Sequence, residues 1–160
     1  MAKAYLGLGT NIGDKKQNLC HAIDQIKAKI GNVCSLSSFY ETAPWGFESE
    51  NQFVNAALCV ETTLLPEELL NTTQLIEREL GRTHKSVNGI YHDRIIDIDI
   101  LLYDDLTLCT PVLTIPHPHM TERLFVMAPM AEIAPELRLS PNGLTLKELK
   151  NRLEEEDNTL

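Results

Sequence analysis

Ile95-Ile-Asp-Ile-Asp-Ile-Leu-Leu-Tyr103 is the strongest strand signal in this chain. Side chains of an extended segment alternate between two sides, so Ile96, Ile98, Ile100 and Leu102 form one apolar row while Asp97 and Asp99 point the other way. Such a strand needs a sheet beside it and a layer over its apolar side. Upstream, Pro66 to Gly81 opens on proline, carries Leu69, Leu70, Thr73, Ile76, Glu77 and Leu80 at helical spacing, and ends on glycine, which predicts a helix. Before it, Val33 to Tyr40 and Phe53 to Thr62 carry β-forming residues. A long loop joins them through Thr42-Ala-Pro-Trp-Gly46 and the polar stretch Glu48 to Gln52. At the start, Ala4 to Gly9 reads as a short strand, Thr10-Asn-Ile-Gly13 as a tight turn and Asp14 as an N-cap. Leu19, Ala22, Ile23, Ile26 and Ile30 then form the buried stripe of a helix that Gly31 is expected to stop.

The order strand, helix, strand, strand, helix, strand is that of the split βαβ. It predicts an α+β, ferredoxin-like βαββαβ sandwich with an antiparallel sheet and helices packed on one face. Beyond Asp104 the chain is proline-rich, with an apolar segment from Leu124 to Ile133 and a charged amphipathic helix from about Thr145 to Glu156. These are expected as C-terminal additions to the sandwich.

The 160 residues fit one domain, 1–160, at the usual scale of ~150 residues per domain. Fourteen Lys and Arg against 23 Asp and Glu give a net charge of −9, which disfavours general binding to a phosphate backbone. Cys20, Cys34, Cys59 and Cys109 form no C-x-x-C pair and read as reduced core thiols. No apolar run approaches the ~18 residues that span a bilayer, and Met1-Ala-Lys-Ala-Tyr leads straight into a strand, so the cytoplasm is the expected compartment and no membrane partner is expected.

Asp97 and Asp99 lie roughly 7 Å apart on one side of their strand. Two like charges so placed repel unless a cation lies between them, and a hard divalent ion such as Mg²⁺ is one explanation. An outer face that meets water, or an ion pair with Arg94, is the other. Magnesium is usually held by one or two carboxylates plus substrate phosphates, so the metal reading also predicts a polyphosphate ligand. Arg82, His84, Lys85, His92 and Arg94 gather in and beside the segment ahead of the acid pair, and His117 and Arg123 follow a proline-rich turn. Together they form a local positive funnel in an acidic chain, unless Arg82 to Asp93 is only a solvated loop.

Gly7-Leu-Gly9-Thr-Asn-Ile-Gly13 mimics a dinucleotide fingerprint, but its last glycine comes one residue late, and no phosphate loop of the G-x-x-x-x-G-K-[ST] type occurs. Any nucleotide is held differently. Thr42, Pro44, Trp45, Phe53, Asn55, Tyr91 and Phe125 form an aromatic and amide group suited to stacking a flat heterocycle and reading its edge, with a core role as the alternative for the phenylalanines.

Several stretches together resemble the 6-hydroxymethyl-7,8-dihydropterin pyrophosphokinase family of folate biosynthesis. They are Tyr5-Leu-Gly-Leu-Gly-Thr-Asn-Ile-Gly13, Ser37-Ser-Phe-Tyr-Glu-Thr-Ala-Pro-Trp-Gly46, Phe53-Val-Asn-Ala-Ala57, Pro66-Glu-Glu-Leu-Leu70, Gln74-Leu-Ile-Glu-Arg-Glu-Leu-Gly-Arg82, Arg94-Ile-Ile-Asp-Ile-Asp-Ile-Leu101, Ile115-Pro-His-Pro118 and Glu132-Ile-Ala-Pro-Glu136. The resemblance implies an ATP-dependent enzyme that passes the β,γ-pyrophosphate to the pterin hydroxymethyl oxygen and releases AMP. It implies two Mg²⁺ at Asp97 and Asp99, with Asp97 also assisting deprotonation and Arg82 and Arg94 stabilising the transition state. By position, ATP would meet Gln74, Glu77, Arg82, Lys85, Arg94, Ile100, His117 and Arg123. The pterin would meet Thr42, Ala43, Trp45, Phe53, Asn55, Tyr91 and Phe125. The expected partners are these two small molecules and no nucleic acid, with the protein a monomer.

The chain departs from the family pattern at His84, Tyr91, His92-Asp93 and Pro118, and its segment from Gly81 to Arg94 is longer than in some relatives. Altered loop closure or ATP affinity is expected there, with the chemistry unchanged. Two other classes share the strand order. A palm-like nucleotidyltransferase would release pyrophosphate instead of AMP. An RNA-recognition motif needs basic and aromatic central strands that Phe53 to Val60 does not supply.

Overall fold

The computed structural model describes residues 1–42, 53–81, 95–140 and 143–158. Strand β1 (Ala2–Thr10) leads through a turn, with Gly13 at φ +71°, into helix α1 (Lys15–Lys29). The Asp14 carboxylate accepts the Gln17 N–H at 3.1 Å and caps that helix as the sequence predicts. Then come β2 (Gly31–Leu36), β3 (Tyr40–Thr42), β4 (Phe53–Thr62), α2 (Pro66–Gly81) and β5 (Asp97–Tyr103). A short hairpin of β6 (Leu108–Cys109) and β7 (Thr114–Ile115), a 3-10 turn (Met120–Glu122), α3 (Leu124–Ile133) and α4 (Leu146–Asn158) complete the described chain.

The main sheet has the order β2-β4-β1-β5, every neighbour antiparallel, with β3 alongside the N-terminal end of β4. This is the expected ferredoxin-like arrangement. Leu6, Leu8, Leu58, Ile98 and Ile100 of the sheet pack with Leu19 and Ile26 of α1 and Leu69 and Ile76 of α2 in one core. The C-terminal additions close the opposite side: Ala57, Leu101 and Leu102 pack with Met120, Met127, Met130 and Leu146 in a second core. Strand β4 is therefore buried on both faces along most of its length. Among the described residues, no helix is long and apolar enough to cross a membrane.

Four local expectations need correction. Helix α1 ends on Ile30 with φ −110°, and Gly31 is already the first residue of β2. Its glycine answers a different demand, because a Cβ there would stand 1.9 Å from the Glu61 carbonyl oxygen of β4. The strand read from Val33 to Tyr40 is split, because buried Ser37 takes the Ala57 N–H on its own hydroxyl at 2.9 Å and the chain turns away at Ser38. Leu102 leaves the row of Ile98 and Ile100: opposite Tyr5 and Leu6 the register slips, Leu101 is passed over, and Leu102 joins the second core. The four thiols are free as expected, yet only Cys59 is buried, while Cys20, Cys34 and Cys109 are exposed.

Candidate active site

The register places the acid pair. Asp97 lies opposite Gly9 of β1, Gly9 opposite Asn55 of β4, and Asn55 opposite Tyr40 of β3. One step along, Asp99 lies opposite Gly7 and Gly7 opposite Ala57. Paired residues share a face, so Asp97, Gly9, Asn55 and Tyr40 form a transverse row on the side away from α1 and α2. At ordinary strand spacing Asp97 and Asn55 are roughly 10 Å apart. Between them stands only glycine, and the Asn55 side chain occupies the vacant space: its Oδ1 would be 2.9 Å from a Cβ on Gly9. A side chain at this point would fill the trough between carboxylate and amide.

β5 ends the sheet, and a cavity of about 370 Å³ wraps around its outer edge. Leu70, Thr73, Gln74 and Glu77 of α2 form one wall. The segment Asp97 to Ile100 forms the floor, and the hairpin residues Thr110 to Thr114 with His117 and Pro118 form the other wall. Glu77 reaches the edge, where its Oε2 accepts the Ile98 N–H at 2.9 Å. Burial pushes its carboxyl up to about 7; the Ile98 bond opposes this, and the nearby Asp97 and Asp99 reinforce it.

His117 is fixed by its backbone N–H, donated to the Leu101 carbonyl at 3.0 Å, the residue passed over in the β5 register. Its Nδ1 accepts the His119 N–H at 3.2 Å, which leaves the proton of the neutral ring on Nε2. Burial, helped by Arg123 and His119, holds its pKa below the usual imidazole value, with Asp97 pulling the other way. The ring is thus a neutral N–H donor at the cavity wall.

Of the residues singled out in the sequence, Gln74, Glu77, Asp97, Asp99, Ile100 and His117 meet in this cavity. Arg123 lies beside His117, with its guanidinium carbon 5.8 Å from the centre of the Phe125 ring. Phe53 and Asn55 are on β4, and Phe53 faces the Thr42 backbone across the β3 ladder. Phe53 and Phe125 are half-buried, available as surfaces as well as core. Ala43, Trp45, Arg82, His84, Lys85, Tyr91, His92, Asp93 and Arg94 lie outside the described residues.

The sequence reading missed the β6–β7 hairpin as a wall. The signal was present in Thr110-Pro-Val-Leu-Thr114, a proline turn between short β-forming pairs. It also missed Glu132, whose carboxylate accepts from Ser38 and Tyr40, and no local pattern announces a bond across 92 to 94 residues.

The carboxylates of Asp97, Asp99 and Glu77 offer hard oxygen donors. No group of three or more His, Cys, Asp or Glu ligands converges among the described residues, so a cation at Asp97 and Asp99 would complete its shell from elsewhere. That fits Mg²⁺, which keeps waters and takes substrate phosphates.

Fold and site together define a class: an α+β sandwich enzyme with an acid-floored cleft at a sheet edge, suited to phosphoryl chemistry. Residues 5–135 match the family model described as 7,8-dihydro-6-hydroxymethylpterin-pyrophosphokinase (HPPK). A 2-amino-4-hydroxy-6-hydroxymethyldihydropteridine pyrophosphokinase of Porphyromonas gingivalis is 49% identical over 138 residues, covering 86% of this chain and 94% of that protein. Its counterpart in Methylorubrum extorquens is 41% identical over 155 residues, covering 96% and 95%. Among solved structures, Plasmodium falciparum HPPK-DHPS superposes with a TM-score of 0.78 at 19% identity, over 98% of this chain and 46% of that one. An HPPK-DHPS crystallised in complex with substrates gives 0.77 at 17% identity, over 99% and 44%. The chain thus spans just under half the length of those two proteins, and they speak to the fold alone. The chain belongs to the HPPK family, and it is a pyrophosphokinase, a diphosphotransferase of folate biosynthesis.

Proposed function

We propose that this enzyme transfers the β,γ-pyrophosphate of ATP to the hydroxymethyl oxygen of 6-hydroxymethyl-7,8-dihydropterin, giving AMP and the pterin diphosphate. The observation that carries the reading is the row Asp97, Gly9, Asn55: a carboxylate and an amide on one sheet face with a residue that has no side chain between them. A flat ring read by Asn55 and stacked on Phe53 and Phe125 would direct its hydroxymethyl group across Gly9 toward the acid pair. ATP would lie along the cavity at the β5 edge, with Gln74, Glu77 and Ile100 on one side and His117 and Arg123 on the other.

Two Mg²⁺ held by Asp97 and Asp99 would neutralise the triphosphate and polarise the β-phosphorus. Asp97 takes up the hydroxymethyl proton. His117 donates its Nε2–H to a phosphate oxygen without adding a charge, while Arg123 supplies one. Arg82, Lys85 and Arg94 contribute further cations to the transferring group, and Thr42, Ala43, Trp45 and Tyr91 complete the pterin slot. The enzyme acts as one domain, monomeric, in the cytoplasm.

Purified protein given Mg²⁺, ATP and the reduced hydroxymethylpterin should form AMP and pterin diphosphate in equal amounts. Release of inorganic pyrophosphate instead would point to nucleotidyl transfer. Asp97→Ala and Asp99→Ala should each lower turnover by roughly 10³-fold or more, as loss of a metal-centred clamp does. Unimpaired turnover in either variant would refute the site.

A further inference from the structure

We propose that Glu132 is a positioning residue for the pterin side of the site, clasping the β2–β3 corner to α3 and so setting the slot between Phe125 and the Phe53–Asn55 segment. The inference rests on the pyrophosphokinase reading above. Glu132 is in the last turn of α3, seven residues after Phe125, a separation that brings two helical side chains to nearly the same face. Its carboxylate accepts the Ser38 N–H at 3.1 and 3.0 Å, the Ser38 hydroxyl at 3.0 Å, and the Tyr40 hydroxyl. Bonds to an ionised acceptor are short and directional, so three donors on one carboxylate fix the corner in orientation as well as distance.

Tyr40 stands opposite Asn55 at the end of the transverse row, and β3 continues from it to Thr42, opposite Phe53. One carboxylate therefore ties the helix that carries Phe125 to the strand pair that carries Phe53 and Asn55. The clasp lies at the surface: Ser38 and Glu132 are exposed, whereas the core beneath is built by Ala57, Met127 and Met130. Its loss should loosen the slot and leave the fold standing. Consistent with a shared set of bonds, Tyr40 and Ser38 hold the Glu132 carboxyl below the usual range, while burial and Glu132 push the Tyr40 phenol up to about 12.

The experiment is steady-state kinetics of AMP formation with each substrate varied, beside thermal melts, on wild type, Glu132→Ala, Glu132→Gln and Tyr40→Phe. Glu132→Ala should raise KM for the pterin roughly tenfold, with KM for ATP and kcat at saturating pterin within about twofold of wild type. Glu132→Gln keeps an acceptor oxygen and should recover most of the affinity, and Tyr40→Phe should fall between. An unchanged pterin KM in Glu132→Ala, or equal losses against both substrates that track a lowered melting temperature in all three variants, overturns the clasp alone. A wild-type enzyme that forms no AMP overturns the pyrophosphokinase reading and the role of Glu132 with it.

Discussion

At the scale of single residues, two glycines separate function from stability. Gly9→Ala would set a Cβ 2.9 Å from the Asn55 Oδ1, a side-chain atom and not backbone, so the amide should move and the backbone stay. A several-fold rise in pterin KM, with a melting temperature close to wild type, is the expected result of kinetics and calorimetry. Gly31→Ala would bring a Cβ to 1.9 Å from the Glu61 carbonyl oxygen, which is backbone and cannot step aside. That substitution should cost on the order of 3 kcal/mol, read as a lower urea midpoint, with KM for both substrates unaltered in the fraction that folds. Neither role was legible in the sequence. Gly9 read as part of a failed dinucleotide fingerprint and Gly31 as a helix stop, because the atoms that demand glycine belong to strand β4, dozens of residues away. Asp97 and Asp99 were legible, since the two-residue period alone puts them on one side of a strand.

At the scale of elements, strands and helices with their own periodicity were legible and their junctions were not. Both helices of the first core, the cap at Asp14 and the start at Pro66 follow from local pattern. The slip at Leu101 and the break at Ser37 go with tertiary bonds, the His117 N–H on the Leu101 carbonyl and the Ala57 N–H on the Ser37 hydroxyl oxygen, and no local signal encodes them. The last helix offers a clean test of a local signal. Thr145 and Glu148 form a reciprocal capping box ahead of α4, Thr145 donating its N–H and hydroxyl to Oε1 of Glu148 at 3.1 and 3.0 Å and accepting the Glu148 N–H at 3.2 Å. Thr145→Ala should destabilise the protein by about 1 kcal/mol in chemical denaturation. The bonds from Thr145 lower the Glu148 pKa, so its contribution is complete above the unfolded carboxylate value and fades as the pH falls through the depressed folded one. The gap between wild type and Glu148→Gln should therefore be widest near neutral pH and close on acidification, as followed by thermal melts across the acid range.

At the scale of the whole molecule, the sheet works as a wall between two cores, and the second depends on the C-terminal additions. Deleting residues 137–160 would remove Leu146 and uncover Met127, Met130 and Leu101, all essentially inaccessible in the intact chain. The truncated protein should lose its cooperative melt and elute as aggregate in size exclusion; a sharp transition with a monomer peak would show that the ferredoxin-like half stands alone. Between those cores, the strand that bears the acid pair is also, among the described residues, the last of its sheet, the position at which another polypeptide could add a strand. Glu77 stoppers one amide of that strand at Ile98, and His117 engages the Leu101 carbonyl. Two negative charges on the same ribbon repel any incoming chain of like charge. The candidate site thus doubles as insulation: a variant stripped of both aspartates should lose the proposed turnover and, at high concentration, be more prone to stick to its own copies.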